Sequence, residues 1–448
     1  MTLAAVGRGQ TNDILGSRRI DHVVVLGANG AMGYGSGALF TTEVPRVTFL
    51  ARSREKAEQA LQSAIQAVRS NTVAQRVEVG DYETFFDAAV GSADLVFEAV
   101  AEDLELKRKM FERVDRVRRA DSIVASVSSG LSINALAADR SPSFRHHFLG
   151  LHFFNPPNVI VGTELIAGHE TDPRVVEFVD AYAAKRLGRV MVHAFDTPGF
   201  AGNRIGFKLL NEVAQLAEEH GPALVERLVG PYTGRAMTPL ATIDLVGWDI
   251  HKAIVDNVYD KTRDEAHATL KLPGYMDRLL AAGMAGGKSG GGFFRAEKGT
   301  DTLVLDPCTG AYRPLKEIKL PDLGFIGSVA KLHRDGRYAD ALRVFADAPG
   351  HWAALARRVV AGYVSYAFHR VGEATATLAG VDDIMGFGFN WAPPSVLVDV
   401  LGPREIARMM DEANVPVPAP IADAVRSGST RRFYSNRHGN IGRFFVAG

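Results

Sequence analysis

The chain reads as a doubly wound, largely parallel α/β sheet followed by two related all-α domains. Three observations predict this. Short β-branched runs alternate with amphipathic stretches of helix length through the N-terminal part, the pattern of strands joined by crossover helices. A glycine-rich turn follows the first of those runs and opens a helix. From Asn203 onward the periodicity turns helical, and part of that helical region recurs further along.

At 448 residues the chain is too long for one ordinary domain. With 46% apolar and 23% charged residues it has the composition of a globular protein with substantial cores. Its 51 basic and 51 acidic residues cancel, so no general attraction to nucleic acid or anionic membranes is expected, and a basic patch for a phosphorylated ligand must be local. A single cysteine, Cys308, excludes an internal disulfide and fits a reducing compartment. No apolar run is long enough to span a bilayer. Residues 1–19, with Arg8, Asp13, Arg18 and Arg19, lack the apolar centre of a signal peptide and read as a flexible extension. The cytoplasm is the expected location. Residues 20–196 form the expected α/β domain, 197–297 a first helical domain, 298–337 a hairpin and linker, and 338–448 a second helical domain. No metal site is expected.

The first strand, residues 20–26 (IDHVVVL), runs into Gly27, Gly30 and Gly33, with Met32 in the same segment. Glycines there let backbone amides approach a pyrophosphate, whose charge then sits at a helix N-terminus. The spacing G-x-x-G-x-x-G is one residue longer than the usual dinucleotide fingerprint, and Asn29 stands where a glycine normally falls. A plain βα turn packed with glycine is the other reading. The next strand, 47–50, should end in the acid that reads the ribose of NAD, but Ala51, Arg52, Ser53 and Arg54 stand there instead. Arginine is what a 2′-phosphate would want, and two solvated arginines at a helix start are the alternative. A helix over 55–69, a strand at 77–79 and a second helix through Asp87 continue the alternation. A strand at 93–100, a helix over 104–119 and a strand at 122–126 come next. The carboxyl ends of these strands place Gly30, Glu102, Ser129 and His152 on one rim, where ligands of such sheets bind.

Residues 149–157 (LGLHFFNPP) read as a buried strand entering a rigid turn, with Glu164 closing the next apolar run. Histidine titrates near neutrality, and a carboxylate on its second nitrogen would fix the tautomer and stabilise the imidazolium. A hydrogen-bonded core histidine and a solvated glutamate would carry the same letters. A helix over 172–186, a strand over 189–193 and a turn through Pro198 end the α/β region. Helices are then expected over 203–220, 223–228 and 243–262, before a glycine-rich loop around Lys288. A hairpin over 293–312 turns at Asp306 to Gly310, and a polar connection through Pro321 leads to helices beginning near Tyr338. The segment 237–247 lies over 392–402 with proline, aspartate and glycine coinciding. Gly206, Phe207 and Glu212 are matched with Ala367, Phe368 and Glu373, and Gly292, Phe293 and Phe294 with Arg443, Phe444 and Phe445. Val364 falls near the place of Asn203, so the second copy is expected to be structural.

These residues resemble the 3-hydroxyacyl-CoA dehydrogenase family. The segment 150–156 (GLHFFNP) is similar to the family's catalytic-histidine segment, with Glu164 at the spacing of its orienting glutamate. The turn 126–131 (SVSSGL) resembles its serine-rich turn, and 196–204 (DTPGFAGNR) the segment supplying its active-site asparagine. The stretch 98–107 (EAVAEDLELK) is similar to the one whose glutamate and lysine contact the dinucleotide, and 287–293 (GKSGGGF) to its glycine–lysine loop. The duplicated layout looks like the dehydrogenase portion of larger β-oxidation proteins, whose enoyl-CoA hydratase part is not seen here.

The resemblance implies a Rossmann-like fold and oxidation of an (S)-3-hydroxyacyl-CoA to the 3-ketoacyl-CoA, with NAD as hydride acceptor. It implies His152, Glu164, Ser129 and Asn203 as catalytic, and Gly27, Gly30, Met32, Gly33, Arg52, Glu102, Lys107 and Asn155 as cofactor-binding. An acyl-CoA substrate, a separate hydratase partner and a monomer or homodimer go with it. Two departures stand out: Val127 replaces an asparagine of the serine turn, and the ribose acid is missing. They leave NADP open as the cofactor, either for the same chemistry or for a reductase running the reaction in reverse. The rival from another class is a non-catalytic dinucleotide- or CoA-binding protein on the same fold.

Overall fold

Strands in the N-terminal half are apolar on both faces because helices cover the sheet on each side, the usual state of a parallel sheet. The computed structural model describes residues 18–230, 237–296, 301–435 and 437–438. It divides into two compact units, Met1–Phe200 and Ala201–Gly448. Residues 1–17 of the expected N-terminal extension lie outside the described residues.

The first unit opens with β1 (His22–Leu26), α1 (Ala31–Phe40), β2 (Arg46–Ala51), α2 (Arg54–Val68), β3 (Val77–Asp81) and α3 (Phe86–Ser92). It continues through β4 (Leu95–Glu98), α4 (Leu104–Val117), β5 (Ile123–Ser126), α5 (Ile133–Ala137) and α6 (Pro142–His146). It closes with β6 (Phe148–Phe153), β7 (Gly162–Ala167), α7 (Pro173–Lys185) and β8 (Val190–Ala194). The sheet order is β3-β2-β1-β4-β5-β6-β7-β8. Chain direction steps outward from β1 through β2 and β3, then returns to β4 on the other side, so the crevice of a doubly wound sheet lies at the ends of β1 and β4.

One neighbour pair departs from the parallel pattern. β6 and β7 are antiparallel, and the register sets His152 directly opposite Glu164. The connection between them is too short for a crossover helix, so the chain turns back on itself. Alternation then sorts the side chains of β6. Leu149, Leu151 and Phe153 enter the main core, where Phe153 stacks on Phe97 at 5.5 Å and Phe97 meets Phe40 edge-on at 5.2 Å. Gly150 and His152 face the other side. A Cβ at Gly150 would lie 2.8 Å from the Ile133 side chain, so glycine is what lets α5 pack against this face.

The second unit holds α8 (Gly202–His220), α9 (Pro222–Val229), α10 (Pro239–Val246), α11 (Trp248–Lys261) and α12 (Gly274–Ala281). A small antiparallel sheet comes after them, β9 (Phe294–Arg295), β10 (Leu303–Leu305) and β11 (Tyr312–Pro314), in the order β11-β10-β9. The expected hairpin turn at Asp306 to Gly310 joins β10 to β11, and Asp306 caps it by accepting from the amides of Cys308 and Thr309. Then come α13 (Gly324–Arg334), α14 (Tyr338–Asp347), α15 (His351–His369), α16 (Leu378–Asp383), α17 (Pro394–Leu401), α18 (Pro403–Glu412) and α19 (Ala419–Ser427). Helix begins earlier than the expected Tyr338, at Gly324. The span expected as one helix over 243–262 is two, broken at Gly247, whose φ of 98° ends α10.

The repeat pairs α8 to α12 with α15 to α19, and it shows in matched devices. Asp244 on α10 accepts from the amides of Phe293 and Phe294 at 2.9 and 3.0 Å; Asp399 on α17 accepts from those of Phe433 and Tyr434 at 2.8 and 3.0 Å. Gly402 breaks α17 from α18 with φ 89°, as Gly247 does in the first copy. Glu226 holds the start of α10 through the amides of Leu240 and Ala241, and Asp382 holds the start of α17 through that of Ser395.

Two expected correspondences are corrected by this. The partners of Phe293 and Phe294 are Phe433 and Tyr434, whereas residues 443–445 lie outside the described residues. Phe207 stands near the start of α8 but Phe368 near the end of α15, so the matching of Gly206, Phe207 and Glu212 with Ala367, Phe368 and Glu373 does not hold. For the same reason Val364 is not the counterpart of Asn203. The first turns of α15 contain no asparagine, so the second copy still lacks that residue.

Arg204, next to Asn203, ties the copies together. It is fully buried, donates to the Tyr366 hydroxyl of α15 at 2.9 Å, and pairs with Asp264 and Glu373, both at 2.7 Å. A buried guanidinium needs such partners, since one left unpaired costs several kcal/mol (about 3–5).

Asp382 gives this unit a titratable core group. One carboxylate oxygen accepts from the Ser395 amide and the other, among the described residues, has no hydrogen-bond partner. Burial, with the nearby charges of Asp383 and Asp399, pushes its pKa up to about 7. An acid with a raised folded pKa loses stability as pH climbs from its unfolded value, about 3.9, through the folded one. Asp382→Asn should therefore melt progressively higher than the parent as pH rises from about 5 to about 8. A thermal-shift gap that stays constant over that range contradicts this.

Candidate active site

The glycine turn between β1 and α1 sorts its three glycines by role. Gly27 has φ 77°, and a Cβ there would lie 2.4 Å from the Ala99 carbonyl, so the turn cannot take a side chain. At Gly33 a Cβ would meet the Gly27 carbonyl at 2.2 Å; this glycine lets α1 pack on the turn. Gly30 differs. It is the N-cap of α1, and a Cβ there would find its nearest neighbour, the Gly27 carbonyl, 3.6 Å away. Protein packing does not require glycine at that place, whereas a pyrophosphate approaching the helix N-terminus would. The residues present thus fit a dinucleotide. Met32 sits in the first turn of α1, packed against the core. Arg52 is exposed just past the end of β2. Asn155 is exposed in the turn after β6, before a cis-proline.

Glu102 organises the serine turn that comes after β5. One of its oxygens accepts from the Ser128 hydroxyl at 2.6 Å and from the amides of Ser129 and Gly130 at 2.8 and 3.0 Å. Burial raises its pKa, but the Lys107 ammonium and those hydrogen bonds outweigh it and hold the carboxyl below its usual range. Lys107 itself is only 1% exposed and lies in the interior. Its ammonium pairs with Glu98 at 2.7 Å, donates to the Val100 carbonyl at 3.2 Å and stands 3.4 Å from Glu102. Glu98 in turn accepts from the Ser126 hydroxyl at 2.6 Å and the Val100 amide at 2.7 Å. The two acids, the lysine and the serines pin the ends of β4 and β5 to each other. Val127 points its side chain into the apolar core, so a polar residue there would face hydrocarbon.

His152 is almost fully buried. Its Nδ1 lies 2.7 Å from Oε2 of Glu164, itself fully buried, and its Nε2 lies 3.1 Å from the Ser129 hydroxyl. A carboxylate only accepts, so Nδ1 carries the proton and Nε2 presents a lone pair toward Ser129. Phe154 and Phe200 flank the imidazole, with ring centroids 4.8 and 5.7 Å away. Aromatic walls keep water from the ring, and low polarity strengthens the hydrogen bond to Glu164. The group can take a proton at Nε2 from a hydroxyl placed as Ser129's is.

Of the expected catalytic residues, the first unit brings Ser129, His152 and Glu164 together in one chain of hydrogen bonds. Asn203 belongs to the second unit, buried in the first turn of α8. The residues not singled out from sequence are Glu98, Ser126 and Ser128, which hold the serine turn, and Asp196. Asp196 accepts from the Ser132 hydroxyl and the amides of Ile133 and Asn134 at 2.7–2.9 Å, fixing the start of α5. Each stands inside or beside a motif already noted, so position was the available signal. Tyr82, whose hydroxyl accepts from the Gly27 amide at 2.8 Å, gave none. Among the described residues, no cluster of His, Cys, Asp and Glu is arranged to hold a metal, and no helix is long and apolar enough to cross a membrane.

Known proteins resemble this chain over most of its length. Residues 22–197 match the family model described as 3-hydroxyacyl-CoA dehydrogenase, NAD binding domain, and residues 199–296 match its C-terminal domain. A Bacillus subtilis protein named as a probable 3-hydroxyacyl-CoA dehydrogenase is 32% identical over 353 residues, covering 78% of this chain and 44% of that protein. The chain thus spans less than half of that relative's length. A Deinococcus radiodurans protein with the same name is 35% identical over 57% of this chain and 73% of its own. The crystal structure of 3-hydroxybutyryl-CoA dehydrogenase from Escherichia coli shares the fold, with a TM-score of 0.68 at 22% identity, over 92% of this chain and all of that one.

The buried ion pair yields a stability prediction. Lys107→Met leaves the Glu98 carboxylate without its counter-ion and should destabilise the protein by about 3–5 kcal/mol. Adding Glu98→Gln removes that charge and should restore part of the loss. Chemical denaturation of the single and double variants checks it; a double variant no more stable than Lys107→Met contradicts it.

Proposed function

We propose, from the premise that this chain belongs to the 3-hydroxyacyl-CoA dehydrogenase family, that it oxidises the 3-hydroxyl of an acyl-CoA to a ketone by hydride transfer to a nicotinamide cofactor. The single observation that carries the reading is the Ser129–His152–Glu164 chain of hydrogen bonds on the carboxyl rim of a sheet that also bears the glycine turn. An alcohol proton is too weakly acidic to leave unaided at neutral pH, so a base must take it as hydride departs. Nε2 of His152 is that base. Glu164 keeps Nδ1 protonated and compensates the positive charge the ring acquires. Ser129 fixes the hydroxyl's approach by hydrogen-bonding at the same nitrogen. Asn203 joins this assignment on its sequence motif and would hydrogen-bond the reacting oxygen. Gly27, Gly30 and Gly33 would hold the pyrophosphate, Met32, Arg52, Glu102 and Asn155 the remainder of the dinucleotide, and Lys107 would act by holding Glu102. When bound, the nicotinamide supplies the hydride acceptor. In the reverse direction His152 returns the proton.

This reading places the enzyme in fatty-acid β-oxidation, in the cytoplasm, acting as a monomer or homodimer. A 3-hydroxyl has to be installed before it can be oxidised, so a separate enoyl-CoA hydratase is the partner the chemistry calls for. Assays with 3-hydroxybutyryl- and 3-hydroxypalmitoyl-CoA, each with both dinucleotides, test the activity through the absorbance of the reduced nicotinamide. Dinucleotide binding without turnover of either thioester would favour the non-catalytic alternative. His152→Ala should lower turnover by about two to four orders of magnitude while leaving dinucleotide binding measurable. Near-parental rates in that variant would remove His152 from the mechanism.

A further inference from the structure

The end of β2 is where a dinucleotide-binding sheet meets the ribose that joins adenine to the pyrophosphate. In an NAD site a carboxylate stands there and accepts from the ribose hydroxyls. In this chain β2 ends on Ala51, fully buried and without a polar side-chain atom. Nothing at that position can accept from a 2′-hydroxyl.

The residues just beyond Ala51 carry the opposite charge. Arg52 is exposed and, among the described residues, makes no hydrogen bond or ion pair. Ser53 is the N-cap of α2, its hydroxyl accepting from the Lys56 amide at 3.3 Å. The cap turns the first amides of a 15-residue helix toward the space beyond the strand. Arg54 opens that helix and meets Glu58 at 3.2 Å in an exposed i,i+4 pair, a weak contact easily exchanged for a stronger anion.

The acid at the end of the neighbouring strand has its oxygens hydrogen-bonded within its own turn. Asp81 ends β3 opposite Ala51. Its Oδ1 accepts from the amides of Glu83 and Thr84 at 2.9 and 2.7 Å and its Oδ2 from the Thr84 hydroxyl at 3.1 Å, which closes its own turn. Those bonds, the Thr84 amide first, hold it below the usual carboxylate range, and Arg54 lies near enough to contribute. Arg52 in turn lies near the Tyr82 hydroxyl, which accepts from the Gly27 amide. The arginine therefore flanks the glycine turn.

We infer that the subsite formed by Ala51, Arg52, Ser53 and Arg54 takes the 2′-phosphate of NADP(H), so that this chain departs from the NAD preference of its family. The inference rests on the dehydrogenase reading above. A guanidinium forks onto two phosphate oxygens, and the Ser53-capped helix start offers amides. NAD(H) would meet an alanine in the same place and leave the Arg52 charge unanswered.

Equilibrium binding to the full chain tests this without turnover. NADPH, NADH, adenosine 2′,5′-bisphosphate and 5′-AMP would be titrated by calorimetry at low and moderate salt. NADPH should bind at least tenfold more tightly than NADH, the bisphosphate more tightly than 5′-AMP, and the advantage should shrink as salt rises. Arg52→Ala should bring the NADPH and NADH affinities together, and Ala51→Asp combined with Arg52→Ala should reverse their order. Equal or tighter NADH binding by the parent chain, or an unchanged ratio in Arg52→Ala, overturns the assignment and leaves the dehydrogenase reading intact. Failure of both dinucleotides to bind overturns both.

Discussion

The contact on which the site depends is the hydrogen bond between the His152 imidazole and the Glu164 carboxylate. Both side chains are buried, and a carboxylate in such surroundings survives only if its charge is met. The pairing is built into the sheet. β7 returns antiparallel to β6 and the register places the two residues opposite each other, so ladder bonds on either side fix their separation. A one-residue slip would turn Glu164 to the other face and away from the imidazole.

The second support is electrostatic and lies one strand pair away. Glu98, Lys107 and Glu102 join the ends of β4 and β5, and Glu102 gathers the Ser128 hydroxyl and two amides of the turn that presents Ser129. Ser129 thus meets His152 from a turn braced by a compensated cluster of charge. In the second unit Arg204 has a comparable place, linking the helix that carries Asn203 in its first turn to the second copy through Tyr366 and Glu373. The second copy therefore supplies partners for a buried arginine of the first.

Much of this was legible in the sequence because period and punctuation act locally. Strands of the first unit are continuous apolar runs, and the glycine turn stands between a strand and a helix as its spacing implied. The reversal of β7 is not part of that reading, which predicts a parallel sheet, although the few residues after Phe153 could not house a crossover helix. What was not legible depends on tertiary partners. Lys107 is expected to contact the dinucleotide, yet it is buried because Glu98 and Glu102 converge on it from other elements. The break at Gly247 hides in a continuous helical pattern, since only its positive φ reveals it. The aromatic pair at 444–445 imitated a repeat that hydrogen bonding assigns to Phe433 and Tyr434.

Kinetics of Glu164→Gln on 3-hydroxybutyryl-CoA address the central claim most directly, because Glu164 accepts from the imidazole of the proposed base. An amide of the same shape cannot match the charge of the protonated ring and can favour the wrong tautomer. Turnover should fall by roughly two orders of magnitude or more, with the Michaelis constant for the thioester close to the parental value. Unchanged turnover, or a loss confined to the Michaelis constant, would contradict the assignment of His152 as the base.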